Sequence, residues 1–278
     1  MAAADVHRDF RQAVDRPDGQ IDLGRAALTM VSCDCPALDV DSYLAKIDSI
    51  AAAVKRRSGD DADVYRIIAA LNYVLFQELG FRGNRDHYFD AKNSFLNEVI
   101  DRKLGIPISL SVLYMEVARR LGFDLDGVGF PGHFLVKFSG REEQIIIDPF
   151  NAGEIKSRES LDEMLYDLYG SRIVFRADFL EAVTKKQLLT RMLTNLKAIY
   201  WKEKNLAKSL SVVERLLILD PASAEHMRER GVIYLKLECF GQARADFETY
   251  LGLKPDADDA REVREEIVKL ARQLTQLH

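Results

Sequence analysis

The sequence predicts an α+β domain followed by an all-α repeat module, and three observations lead to this prediction. Apolar residues recur at helical spacing up to about residue 103, and residues 104–150 show a buried helix followed by short strands. The C-terminal third has a period of 34 residues. We therefore predict one domain over residues 1–183, with a helical N-terminal part, and a second over residues 184–278.

Three helices are predicted in the first domain at residues 40–57, 61–80 and 92–103. In the first of them, one helical face carries Leu44, Ile47, Ile50, Ala51 and Val54. We expect each helix to bury such a face against the domain core.

A well-delimited helix is predicted from Pro107 to Leu121. Proline suits the first turn because its missing N–H would have no partner there. Arg119 and Arg120 in the last turn, with Gly122 just beyond it, are typical of a helix end. Most side chains between these signals are apolar, so we expect the helix to be largely buried.

Short strands are predicted after this helix at residues 128–130, 133–138 and 144–148, with a turn over residues 139–143 joining the last two. The order of a helix followed by a hairpin indicates an antiparallel sheet. Residues 158–183 are predicted to form one or two further helices.

His133 and Asp148 are expected to lie close together, because antiparallel pairing brings the start of one strand to the end of its partner. In cysteine-protease-like sites a carboxylate orients an imidazole, which activates a thiol at the N-terminus of a buried helix. The helix that begins near Pro107 follows this order. The alternative for Asp148 is a turn-forming role with its carboxylate on backbone amides, and for His133 a packing role beside Gly132.

The C-terminal third predicts two tetratricopeptide repeats (TPRs). Pro221 and Pro255 lie 34 residues apart, which is the TPR period, and define windows at 188–221 and 222–255. The second window matches the TPR pattern at Gly231, Tyr234, Ala243, Phe247 and Pro255. Residues 262–277 are predicted to form a capping helix.

Three segments in order resemble the transglutaminase core: Gly105-Ile106-Pro107 through Leu121-Gly122, then Pro131-Gly132-His133, then Ile147-Asp148-Pro149. Four longer motifs are similar to the bacterial "Sir B" invasion-regulator type of transglutaminase-like protein, over roughly residues 35–275. They are Asn93-Ser94-Phe95-Leu96-Asn97, Gly105-Ile106-Pro107-Ile108-Ser109-Leu110-Ser111, Phe130-Pro131-Gly132-His133-Phe134 and Asp148-Pro149-Phe150. The resemblance implies a papain-like, transglutaminase-like core followed by TPR repeats.

The family's nucleophilic cysteine falls on Pro107 when the two sequences are aligned on Gly105 and Gly122. Proline has no nucleophile, so we expect a pseudoenzyme that binds a protein or peptide, through its cleft and through the TPR groove, in a regulatory role. The residues expected to line the cleft are Asn93, Ser94, Asn97, Pro107 and Ser109. For the asparagines and Ser94, capping of a helix start is the structural alternative.

A hydrolase or acyltransferase is the alternative function, with His133 and Asp148 acting on a relocated nucleophile. Ser111, one helical turn beyond position 107, is better placed than Ser109, which is rotated by about 200° from that position. The commoner role for such a serine is a hydrogen bond to a helix carbonyl.

The three cysteines, Cys33, Cys35 and Cys239, lack the paired spacing of a zinc site and indicate reduced thiols. Cys33 or Cys35 is the other possible source of a relocated nucleophile. A metal site on His133 and Asp148 would need further ligands that the sequence does not offer, so neither metal nor cofactor is expected.

The charge balance predicts no nucleic-acid partner, because 39 basic and 44 acidic residues give a net charge of -5. The N-terminal residues lack the apolar segment of a signal peptide, and no run of about 18 uncharged apolar residues follows. We therefore expect a cytoplasmic protein that does not span a membrane.

Overall fold

The structure, a computed structural model, describes residues 7–31, 35, 37–140 and 143–276. The chain divides into two compact units, Met1–Met192 and Leu193–His278. Among the described residues, none of the helices combines the length and apolar character needed to cross a bilayer.

The first unit is mainly helical. Its α-helices are α1 (Arg8–Val14), α2 (Leu23–Thr29), α3 (Val40–Ser58), α4 (Val64–Asn72), α5 (Leu96–Arg102), α6 (Pro107–Arg120) and α7 (Arg158–Tyr169), and α8 (Lys185–Lys202) begins in it. A π-helix, Tyr73–Glu78, continues α4, and short 3₁₀ turns occupy Asp18–Gln20, Ala91–Ser94, Pro149–Asn151, Gly170–Arg172 and Ala177–Leu180. Aspartate caps start several helices, as where Asp39 Oδ1 accepts the Ser42 N–H at 3.1 Å.

The helix predicted over residues 92–103 is wrong in its first part. A 3₁₀ turn, Ala91–Ser94, precedes α5, and Phe95 between them has extended backbone. The Asn93 carbonyl accepts the Ser109 hydroxyl at 2.6 Å, which fixes this turn against α6. The spacing of apolar residues cannot show that the Ser109 hydroxyl of α6 binds the Asn93 carbonyl, so this turn was not predicted.

Helix α6 follows its prediction within one residue and forms the centre of the unit. Pro107 occupies its first turn, and Ser109 Oγ accepts the Ile106 N–H at 3.1 Å, which gives this backbone donor at the helix start a partner. Most of its side chains are buried, and it contacts α3 and strands of the sheet.

The strands are β1 (Arg82–Gly83), β2 (Leu104–Gly105), β3 (Asp126–Val128), β4 (Leu135–Ser139), β5 (Gln144–Asp148) and β6 (Glu154–Lys156). Four of them form an antiparallel sheet in the order β3-β4-β5-β6, and β1 and β2 form a separate parallel pair. The first predicted strand begins and ends two residues too late, and β1, β2 and β6 were not predicted. These three strands have two or three residues, too few to show alternation.

His133 precedes β4 and does not open it. It ends a turn in which its N–H donates to Phe130 O at 3.0 Å, and Gly132 in that turn has φ +68°. Helix α7 covers one face of the sheet, where Leu135 and Ile146 pack with Leu161 and its neighbours.

The second unit contains the rest of α8 and four more helices. These are α9 (Leu206–Leu219), α10 (Ala224–Lys236), α11 (Phe240–Leu253) and α12 (Ala260–Gln276). Gly231 in α10 lies against the ring of Phe247 in α11, the close approach that the repeat pattern predicted. The predicted α+β fold with a C-terminal helical module is confirmed.

Candidate functional site

A cleft of about 500 Å³ in the first unit is lined by His133, the histidine predicted to belong to the site. Its lining comes from the loop before α5, the first residue of α6, the turn before β4, the segment after β5, and α7. A cleft of this size suits a side chain or a short peptide segment.

His133 and Asp148 form a hydrogen-bonded pair, with Nε2 2.9 Å from Oδ1. The hairpin explains their meeting. Val136 pairs with Ile147, so Leu135 falls opposite Asp148 and His133 lies two residues further on the same side of the sheet. Because the carboxylate takes Nε2, any group in the cleft would have to use Nδ1 of the ring.

Asp148 is fully buried and also caps the turn that follows it. Its Oδ1 accepts the N–H groups of Phe150 at 3.1 Å and Asn151 at 3.3 Å, while Oδ2 accepts Asn151 Nδ2 at 2.7 Å. Lys156 Nζ lies 3.9 Å from Oδ2. Burial raises the pKa of Asp148, but the hydrogen bonds from His133 and Asn151 outweigh it and hold this pKa below its ordinary value. Asp148 therefore both orients His133 and forms the turn.

Arg191 fixes the turn that carries His133. Its Nη2 donates to His133 O at 2.6 Å and to Phe130 O at 3.3 Å, and burial lowers its pKa. Sequence reasoning missed this residue because it lies 58 positions beyond His133 and belongs to no motif.

Pro107 lines the cleft together with His133, so the structure brings position 107 to the predicted site. The side chain is buried and carries no proton to give and no lone pair to attack with. The cleft thus combines an oriented imidazole with an inert ring at the start of a buried helix.

Among the described residues, the predicted substitutes for the nucleophile do not line the cleft. Ser111 is fully buried, and its Oγ has no hydrogen-bond partner within the described residues, so the expected bond to a helix carbonyl is not found. Ser109 is fully buried, and its hydroxyl donates to the Asn93 carbonyl and accepts the Ile106 N–H. Cys35 is half-buried and outside the lining, and Cys33 lies outside the described residues.

Asn93, Ser94 and Asn97 are buried and also do not line the cleft, unlike our expectation. Asn93 Nδ2 donates to His87 O at 2.7 Å, and its Oδ1 accepts Asn84 Nδ2 at 2.9 Å. The Asn93 side chain therefore holds the loop over residues 84–88 from its buried side. Because its amide is used by this loop, it does not reach the cleft.

That loop supplies one aromatic wall of the cleft. The rings of Tyr88 and Phe150 meet edge to face with centroids 6.3 Å apart, and His133 meets Phe150 in the same way at 5.8 Å. The Arg85 guanidinium lies 5.0 Å from the Phe150 ring centroid and donates to Asn151 Oδ1. Burial raises the pKa of Tyr88.

Helix α7 supplies the opposite wall with one face of its surface. Ser160, Glu163, Met164, Asp167 and Leu168 line the cleft at the i, i+3, i+4, i+7 and i+8 spacing of a single helical face. Carboxylates and apolar side chains alternate along this face.

A metal centre was our third alternative for His133 and Asp148. Across the part of the chain that the structure describes, no group of three or more His, Cys, Asp or Glu side chains is arranged to hold a metal ion.

The second unit has its own pocket of about 290 Å³. Trp201, 47% exposed, and Val232 contribute apolar surface to it. Lys197 at its edge forms an ion pair with Glu229 at 2.6 Å.

Comparison with known proteins agrees with this architecture. The transglutaminase-like superfamily matches residues 41–194, more than half of the chain, and the tetratricopeptide repeat family matches residues 196–267. The first match contains α3 from its second residue, α4 to α7 and the whole cleft.

Relatives of full length share both parts. A UPF0162 protein of Xylella fastidiosa is 36% identical over 265 residues, which cover 94% of each chain. Protein SirB1 of Salmonella typhimurium is 25% identical and covers 91% of this chain and 93% of its own. F-box only protein 21 of Homo sapiens is 37% identical over 146 residues, 50% of this chain and 22% of that protein. The chain therefore belongs to the transglutaminase-like superfamily, among the UPF0162 and SirB-like proteins that carry C-terminal TPR repeats.

Proposed function

We propose that this protein is a non-catalytic regulatory module that binds a protein or peptide partner. One segment of the partner lies in the transglutaminase-like cleft, and the TPR unit provides a second contact. Pro107 carries the proposal, because a proline stands where the family's chemistry needs a thiol, beside an imidazole that is still oriented.

The walls of the cleft support a peptide ligand. Tyr88 and Phe150 offer aromatic faces, while the exposed Leu168 and the partly buried Met164 offer apolar contacts on α7. Aromatic and apolar anchors of this kind contribute most of the affinity in peptide recognition. In the TPR unit, the partly exposed Trp201 offers a similar anchor.

The expected setting is the cytoplasm, without nucleic acid. Cys35 and Cys239 are free thiols, which suits a reducing compartment. The net charge of -5 does not favour a phosphate backbone.

Peptide selection with the full chain tests this proposal. Peptides are selected from a random displayed library, and their Kd values are measured by fluorescence polarisation. Leu168→Glu places a charge in the cleft and is expected to weaken the selected peptides about tenfold or more. Tyr166→Glu is the matched control, because Tyr166 is 68% exposed on the same helix and does not line the cleft.

Two results would contradict the proposal. One is that every selected peptide binds the Leu168→Glu and wild-type proteins equally, which would place binding outside the cleft. The other is turnover of amide or ester substrates that His133→Ala abolishes, since that would make the cleft catalytic.

A hydrolase or acyltransferase is the second candidate, favoured by the intact hydrogen bond between His133 and Asp148. It needs a nucleophile from Ser111 or from Cys33 or Cys35. Labelling of the native protein with fluorophosphonate and iodoacetamide probes, mapped by mass spectrometry, tests it. Failure of His133-dependent labelling at all three residues would remove this candidate.

A further inference from the structure

A second cavity of about 560 Å³ lies in the first unit, on the α7 side of the sheet. It shares Lys156 with the cleft but is not lined by His133 or Asp148. Nothing in the proposed binding of a peptide uses it.

Strand register places two lysines on either side of one apolar residue in this cavity. Lys137 pairs with Ile146 between β4 and β5, and Ile146 pairs with Lys156 between β5 and β6. Residues directly opposite one another point to the same face of a sheet. The two lysine backbones are therefore about 10 Å apart, twice the distance between neighbouring strands.

Cationic side chains outnumber carboxylates in the lining, with Lys137, Lys156 and Arg158 against Glu181. Lys137 Nζ donates to Leu180 O at 2.9 Å, and within the described residues no carboxylate forms an ion pair with it. Considering only the residues that the structure describes, Lys137 is thus a positive charge of the cavity without an ionic partner.

The other two cations already have ionic partners. Lys156 pairs with Glu154 and also lies 3.9 Å from the buried Asp148 carboxylate, while Arg158 pairs with Asp162. Glu154 and Asp162 are 52% and 48% exposed. Exposed pairs of this kind contribute little in water. An anion that enters the cavity can therefore compete with Glu154 for Lys156 and with Asp162 for Arg158.

The floor of the cavity is apolar. Ile146 is 6% exposed, and Phe175 and Leu180 pack on the same cluster of core residues. The Arg158 guanidinium lies 3.6 Å from the Phe175 ring centroid, which closes one side with a cation over an aromatic face.

We propose that this cavity binds a small amphipathic monocarboxylate. The carboxylate lies between Lys137 and Lys156, and the apolar chain covers Ile146, Phe175 and Leu180. A single negative charge matches Lys137, which has no ionic partner among the described residues, and the cavity volume falls in the range of small-molecule sites.

Isothermal titration calorimetry of the full chain with octanoate tests the proposal. Saturable binding is expected, and Lys137→Gln should weaken it about tenfold because it removes a charged hydrogen-bond partner. Lys137→Arg keeps the charge and should retain binding. Lys55→Gln is the matched control, because it removes the same charge from a partly exposed lysine outside both cavities.

Acetate and octylamine separate the two halves of the ligand, and both are expected to bind much more weakly than octanoate. Absence of saturable octanoate binding, equal binding by Lys137→Gln and wild type, or equal affinity for acetate would each overturn the proposal. If Lys137→Gln does not fold, Glu181→Gln serves instead and should strengthen binding severalfold by removing the carboxylate in the lining. Leu168→Glu should leave octanoate binding unchanged, so this test is independent of the peptide test.

Discussion

The backbone of Gly153 lies directly against the side-chain amide of Asn72, whose Nδ2 donates to Gly153 O at 2.8 Å. Gly153 has φ +76°, and a methyl group there would lie 1.9 Å from Asn72 Oδ1. Asn72 in turn accepts the hydroxyl of the buried Tyr114 at 2.9 Å. Helix α4, helix α6 and the turn after Asp148 are therefore joined through one amide.

Gly153→Ala should lower the free energy of unfolding through both backbone strain and steric overlap. Gly80→Ala is the matched control, because Gly80 has φ +74° and nothing within 4 Å of a new methyl group. We expect about 1 kcal/mol of destabilisation for the control and about 2–4 kcal/mol for Gly153→Ala. Urea unfolding measures both, and equal losses would show that Asn72 moves aside without cost.

Asp148→Asn should lower stability in a pH-dependent way. Because folding lowers the pKa of Asp148 from its ordinary 3.8, the ionised group stabilises the fold above that pH. This contribution is lost as the pH falls through the folded-state pKa. We expect the variant to lose about 2–4 kcal/mol at pH 7 and the difference from wild type to shrink below about pH 4.

The control for this measurement is Asp162→Asn, which affects a half-exposed pair with Arg158 at 2.9 Å. It should change the free energy of unfolding by less than about 0.5 kcal/mol. A pH-independent loss in Asp148→Asn would contradict the ionised state assigned to this carboxylate.

Pro107→Cys should create a reactive thiol, because the position starts α6 and shares the cleft with His133. A helix N-terminus and a nearby imidazole both lower a thiol pKa below its usual value of about 8.5. The rate of iodoacetamide alkylation at position 107 is monitored by peptide mass spectrometry, and its dependence on pH gives this pKa. Adding His133→Ala should raise it, and an unchanged value would mean that the ring does not act on position 107.

Substitution of two glycines of the TPR unit by alanine should affect the stability of the fold differently. In Gly231→Ala the new methyl group would lie 2.7 Å from the Phe247 ring, so we expect a loss of about 1–3 kcal/mol. Gly241 in α11 has nothing within 4 Å, so Gly241→Ala should leave stability unchanged or raise it by up to about 1 kcal/mol. Thermal unfolding compares the two, and a loss in both would contradict the packing described here.

Much of the fold could be predicted because its signals are local. Pro107 and Gly122 bracket α6, and the 34-residue period identified the repeat helices. The meeting of His133 with Asp148 followed from the hairpin. The remaining parts depend on contacts that no local pattern records.

Arg191 and Lys156 are examples of such contacts. Arg191 reaches the His133 turn from a distant helix, and Lys156 approaches Asp148 from a strand too short to show alternation. Asn93 misled us for the same reason, because a polar residue beside a motif can face inward toward a loop rather than toward a ligand.

The two roles of Asp148 have a consequence for evolution. A carboxylate that terminates a strand and holds the next turn is needed for folding whether or not the neighbouring histidine performs chemistry. Loss of a thiol at position 107 would release selection for turnover while selection for folding continued to keep the acid. A His–Asp pair is therefore a poor indicator of retained catalytic activity in proteins that have this turn. The residue at the start of α6 indicates more reliably whether the activity is retained.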